Sequence, residues 1–156
     1  VLHVARSAIE ILSDVVELPR VHGFVRDSLR AVHGPALDKD TLTLLELAAV
    51  ETASNIMKHA YHGDPNRPIR IEAEVSGQSV TVCFRHGGDP FHPGPPKAPC
   101  YEDPNSVGLG MHIISRSVDE VVYSQDIRGC NTVLLIKHLT GGRDASPSSS
   151  RQGGRP

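Results

Sequence analysis

Residues 46–61 read ELAAVETASNIMKHAY. Together with the residues just before it, this stretch carries an apolar stripe at Leu42, Leu45, Ala49, Ala53, Ile56 and Ala60. Steps of three and four predict a single helix with one buried face. Asp38 or Asp40 is placed to cap its start. Glu51 and Asn55 lie one turn apart, so both side chains leave the helix in the same direction, beside the stripe, and Lys58, His59 and His62 extend that row. On an arbitrary helix a polar row is usually solvated surface, so its meaning depends on what surrounds it.

Upstream, SAIEIL (7–12) alternates as a short strand, and Leu18 to Val32 sets Val21, Phe24, Val25, Leu29 and Val32 at helical spacing. Downstream, the turn formers HGDPNRP (62–68) lead into IRIEAEV (69–75) and SVTVCFR (79–85), which read as a hairpin through Ser76, Gly77 and Gln78. Residues 86–106 then hold six of the chain's 12 prolines, a density that neither a helix nor a central strand accepts. A loop of that length inside a compact domain is commonly a lid or binding loop. VGLGMHIISRSV (107–118) resumes as a helix, and DEVVYSQDI (119–127) and CNTVLLIKHL (130–139) give two more strands with Gly129 at their turn. The expected architecture is a two-layer α/β (α+β) sandwich: helices on one face of a mixed, mostly antiparallel sheet, spanning residues 1–139. The polar remainder, 140–156, cannot repay the entropy of ordering and reads as a disordered tail.

Composition narrows the function. With 156 residues there is room for one core, and a formal net charge of -2 offers no general positive field to nucleic acid or anionic lipid. The absence of tryptophan leaves few stacking platforms for bases. No long apolar run suggests a membrane span, and the N-terminal stretch lacks the marks of a signal peptide, so a cytoplasmic location is expected. The three cysteines, Cys83, Cys100 and Cys130, are dispersed and read as reduced thiols. The glycines of VGLGM at 107–111 let backbone N–H groups approach a ligand at a helix start, where a phosphate is favoured.

Taken in order, a helix with Glu and Asn, a hairpin, a Gly/Pro loop, GLG opening a helix and a strand ending CNTVLLIK resemble one family over roughly residues 7–139. ELAAVETASNIMKHAY is similar to the N box of GHKL-type (Bergerat-fold, histidine-kinase-like) ATPases, in the ExxxNxxxHxY form carried by bacterial anti-sigma-factor serine kinases of the RsbW and SpoIIAB type. The resemblance implies ATP and Mg2+ as cofactors, with Asn55 holding the metal on the nucleotide phosphates and Glu51 acting as general base on a substrate serine. It also implies phosphate contacts from Lys58 and from the backbone around Gly108, Leu109, Gly110 and Met111. His59 and Gly88 fall on fixed motif positions, Thr132 stands where the family has a threonine near the adenine, and Arg20 matches an arginine that contacts partners. The partners the resemblance implies are an anti-anti-sigma factor with a STAS domain and a sigma factor or equivalent regulator, and it implies a homodimer; composition adds the expectation of no nucleic-acid and no membrane partner.

One box departs from the pattern. The family reads DxGxPFDP where this chain reads HGGDPFHP (86–93), so His86 replaces the aspartate that accepts a hydrogen bond from the adenine amino group, and His92 replaces a second aspartate. A neutral imidazole accepts one bond where a carboxylate accepts several. Asp89 is nearby, and His86 with His92 also suggests a metal pair, for which spacing supplies no third ligand. Two readings follow: a serine kinase that switches partners by phosphorylation, and a partner-switching anti-sigma module with a degenerate adenine site and no catalysis.

Overall fold

The computed structural model describes residues 4–31, 37–90 and 108–139. The expected lid beyond Pro90, His92 and the expected disordered tail lie outside these residues. In chain order the elements are β1 (Ala5–Leu12), a 3₁₀ turn (Val15–Glu17), α1 (Leu18–Arg30), α2 (Lys39–Asn55), a π-helical turn (Ile56–Ala60), β2 (Pro68–Val75), β3 (Ser79–His86), α3 (Gly108–Ser117), β4 (Glu120–Gln125) and β5 (Asn131–His138).

The five strands form one sheet in the order β1-β2-β3-β5-β4. Every hydrogen-bonded pair is antiparallel, where a mixed, mostly antiparallel sheet is expected from the sequence. The reason is topological. β3 and β4 run in the same direction across the α3 connection, as a helical crossover requires, but β5 inserts between them and pairs with both. The single parallel relationship never becomes a ladder.

Alternation along the strands puts Ile11, Ile69, Ile71, Val80, Val82, Phe84, Val133 and Leu135 on one face, all buried. Against it pack Val21, Val25 and Leu29 of α1, Leu45, Ala48, Ala49 and Ala53 of α2, and Ile114 of α3. This is the predicted stripe, with alanines where helix and sheet approach closely. Asp38 caps α2 as expected, its carboxylate accepting from the Thr41 amide at 2.8 Å. Arg26 of α1 donates from Nε to buried Glu46 of α2 at 3.0 Å, and His22 Nε2 lies 2.7 Å from the same carboxylate, which fastens α1 to α2. The turn between β4 and β5 rests on Gly129, whose φ of 82° places it in the left-handed region.

The helix predicted to run through Ala60 changes character at Asn55. From Ile56 the chain makes a π turn, closed by the Tyr61 amide donating to the Ile56 carbonyl at 3.0 Å. The chain then leaves the helix through His62 (φ 52°) and Gly63 (φ 82°). Such wide turns recur at functional sites because they re-aim side chains at a fixed point of a helix.

Candidate functional site

Glu51 and Asn55 occupy the last turn of α2, just ahead of the π turn, and both are partly buried. The first turn of α3 lies directly against them. A β-carbon at Gly110 would meet Glu51 Oε2 at 2.6 Å and Asn55 Oδ1 at 3.8 Å. No other residue type allows that approach without displacing the carboxylate. Asn55 Nδ2 donates to Met111 Sδ at 3.4 Å. That contact uses one of the two amide N–H groups and leaves the Asn55 oxygen as an acceptor. Gly108 and Leu109 open the same helix, whose first turn leaves backbone N–H groups without intrahelical partners.

The structure thus brings together Glu51, Asn55, Gly110 and Met111, two sequence-distant pieces of the predicted site. Lys58 follows on the π turn and is exposed, and His59 is partly buried beside it. His62 does not extend the row: its left-handed backbone turns it away, and its Nε2 lies 2.7 Å from Asp89 Oδ2 on the surface. Arg20 is remote from this cluster in sequence order and element. It sits in the first turn of α1, pairs with Glu17 at 2.5 Å, and neighbours the exposed Val15 and Val16.

A second polar cluster lies past the π turn. His86, at the end of β3, is 4 % exposed and stacks edge-on against the Tyr61 ring with centroids 5.8 Å apart. Burial lowers its pKa, so the imidazole is neutral near pH 7. The Gly88 amide donates to His86 Nδ1 at 3.3 Å. The backbone leading out of β3 is held throughout: the Gly87 amide donates to the Tyr61 hydroxyl at 2.9 Å, and the Asp89 amide to the Ala60 carbonyl at 2.9 Å. A β-carbon at Gly88 would meet the Ala60 carbonyl oxygen at 2.5 Å, which explains the glycine.

Asn131 completes this cluster. It is buried, pairs with His86 across the β3–β5 ladder, and donates from Nδ2 to the Gly88 carbonyl at 2.7 Å. Thr132 does not join it. Strand alternation sends Thr132 to the opposite face of the sheet, between Arg85 and Ser124, while Asn131, Val133 and Leu135 share the helix-facing side. The sequence held the signal: Asn131 is the polar residue in phase with the buried positions of its strand.

The donor set suits a magnesium-bound phosphate ligand. An amide oxygen is a hard oxygen ligand, a carboxylate stands beside it, and the missing side chain at Gly110 lets the first turn of α3 come up against both. Among the described residues no three His, Cys, Asp or Glu side chains converge on one point, so a cation here would share its ligands with a bound phosphate.

Residues 13–137 match the family of the histidine kinase-like ATPase domain. The chain belongs to that family. The expected GHKL-type fold is therefore the fold observed, and the ATPase-domain match points to nucleotide binding. Among curated proteins, this ATPase-like domain is 32% identical over 111 residues to an anti-sigma F factor of Anoxybacillus flavithermus, covering 68% of this chain and 74% of the relative. It is 26% identical over 104 residues to an anti-sigma F factor of Geobacillus kaustophilus, covering 64% and 71%. No helix among the described residues is long and apolar enough to cross a membrane.

Proposed function

We propose that this domain is an anti-sigma factor that binds ATP with magnesium and phosphorylates a serine on an anti-anti-sigma partner of the STAS type, thereby exchanging that partner for a sigma factor. The observation that carries the reading is the close approach of Gly110 to Glu51 and Asn55, which brings a helix start, a carboxylate and an amide oxygen together. Phosphoryl transfer demands mainly positioning and charge neutralisation, and these groups supply both.

Asn55 would hold a magnesium ion that neutralises phosphate charge, and the first-turn N–H groups of α3 would donate to phosphate oxygens. Glu51 accepts the proton of the serine hydroxyl as its oxygen bonds to the γ-phosphorus and the bond to the β-phosphate oxygen breaks. Lys58, exposed on the π turn, and His59 beside it would add contacts to the phosphates. Arg20 and the exposed Val15 and Val16 form the partner-facing surface. The names of the two relatives support the anti-sigma role.

Calorimetric titration with ATP, with and without magnesium, tests the site. Magnesium-dependent binding that disappears in Asn55→Ala is the expected result. The same preparation, given a STAS-domain partner and labelled ATP, should label the partner's serine, and Glu51→Ala should bind nucleotide yet leave the partner unlabelled. Absence of both heat and any thermal stabilisation at millimolar ATP overturns the kinase reading in favour of a nucleotide-independent binding module.

A further inference from the structure

The hydrogen bond between Gly88 and His86 fixes more than a loop. A backbone amide can only donate, so His86 Nδ1 must present its lone pair to it. An imidazolium has protons on both nitrogens and cannot make this bond, so the ring is neutral with its single proton on Nε2. His86 Nε2 is therefore a hydrogen-bond donor and not an acceptor.

The rest of the cluster keeps it so. The Gly87 and Gly88 amides and the Asp89 amide are all engaged within the protein, as are the Gly87 carbonyl, which accepts from Arg67 at 3.3 Å, and the Gly88 carbonyl, which accepts from Asn131. Tyr61 spends its hydroxyl proton on the Pro68 carbonyl at 2.6 Å and accepts from Gly87. The three amides are donors already spent, and each of the two carbonyls already accepts one bond from the protein, so the side chain of His86 is a group of this cluster with an uncommitted proton.

The phosphate cluster and this one sit at two points of the same helical element. From Glu51 to Ala60 the axis advances at most about 13.5 Å at 1.5 Å per residue, less where the chain makes the π turn, a length on the scale of a nucleotide. We infer that His86 makes this a site for 6-keto purine nucleotides, guanosine or inosine triphosphate, which bind at least as tightly as ATP. The inference rests on the nucleotide reading above and concerns only the base. A keto oxygen accepts the Nε2 proton, whereas a 6-amino group meets a donor with a donor.

Competition or calorimetry with the magnesium complexes of ATP, GTP and ITP on the full chain tests it. Expected are dissociation constants for GTP and ITP equal to or below that for ATP. In His86→Asp, an acceptor-only side chain, the ratio should move about tenfold or more toward ATP. ATP binding tenfold tighter than both GTP and ITP in the unaltered protein overturns the inference while leaving the nucleotide site intact. Tight GTP with weak ITP also overturns it, because the 2-amino group would then be the feature read. Failure of all three to bind overturns the nucleotide reading itself, and the inference falls with it. The comparison among nucleotides on the unaltered protein decides the matter even where His86→Asp fails to fold.

Discussion

A methyl group on Gly110 would stand 2.6 Å from Glu51 Oε2, closer than any two such atoms remain. The obstacle is the end of a flexible side chain, so Gly110→Ala should be absorbed by rotating the Glu51 carboxylate out of place and not by moving α3. Replacing a helical glycine by alanine stabilises by up to about 1 kcal/mol. The variant should therefore melt at the same temperature as the unaltered protein or slightly above it, while phosphoryl transfer falls at least about tenfold. A fall in melting temperature with activity intact would contradict the arrangement.

Gly88→Ala should do the reverse. Its β-carbon meets the Ala60 carbonyl oxygen at 2.5 Å and the Tyr61 ring at 2.8 Å, and the first of these is backbone held by the Asp89 amide. Overpacking of this kind costs about 1–3 kcal/mol. Chemical denaturation should show that loss with no ligand present.

Much of this was legible in the sequence, and what was not has identifiable causes. The stripe from Leu42 to Ala60 gave the helix, its buried face and the Glu51/Asn55 pair, because a period of 3.6 is a strong signal over that length. The same period cannot reveal the π turn after Asn55, since one altered hydrogen bond leaves no mark on the pattern, so the spacing puts His62 in the row while its backbone turns it away. The sheet was expected to be mixed because strand order across a crossover is a tertiary fact. Thr132 was carried over by family likeness, yet the alternation of β5 argues for Asn131, one residue earlier, as the side chain on the His86 side. A polar residue in phase with buried neighbours was the signal overlooked.

That distinction has a direct test. Asn131 is 5 % exposed and its amide holds the Gly88 carbonyl, so Asn131→Ala should cost about 1–3 kcal/mol through the unpaired carbonyl. It should also weaken nucleotide binding, because the segment carrying His86 and Gly88 loses its anchor to β5. Thr132→Ala should change stability by no more than about 0.5 kcal/mol. Equal effects from the two substitutions would place the functional face of β5 on the other side of the sheet.

Glu46 is another buried group with a measurable consequence. Its carboxylate is held by Arg26 and His22, and removing Arg26 leaves a buried acid with one partner. Arg26→Ala should lower the melting temperature by several degrees, and the same substitution in a Glu46→Gln background should lower it by less than half as much. Additive losses would show that Arg26 acts through packing alone.

The neutrality of His86 makes stability depend on pH in a defined direction. Burial holds its pKa below the ordinary value of about 6.5. Above that pH both the folded and unfolded chains carry a neutral imidazole, and His86 contributes no pH dependence. As pH falls through 6.5 the unfolded chain takes up the proton first, so folding is progressively disfavoured until the pH reaches the lowered value of the folded state. One proton sets a limiting slope of about 1.4 kcal/mol per pH unit. Denaturation curves from pH 7.5 to 5 should therefore show the unaltered protein losing more stability than His86→Gln, since the remaining histidines are common to both and cancel. Parallel curves would mean that His86 titrates freely in the folded protein, and the bond from Gly88 to Nδ1, with the donor role it assigns to Nε2, would fall with that result.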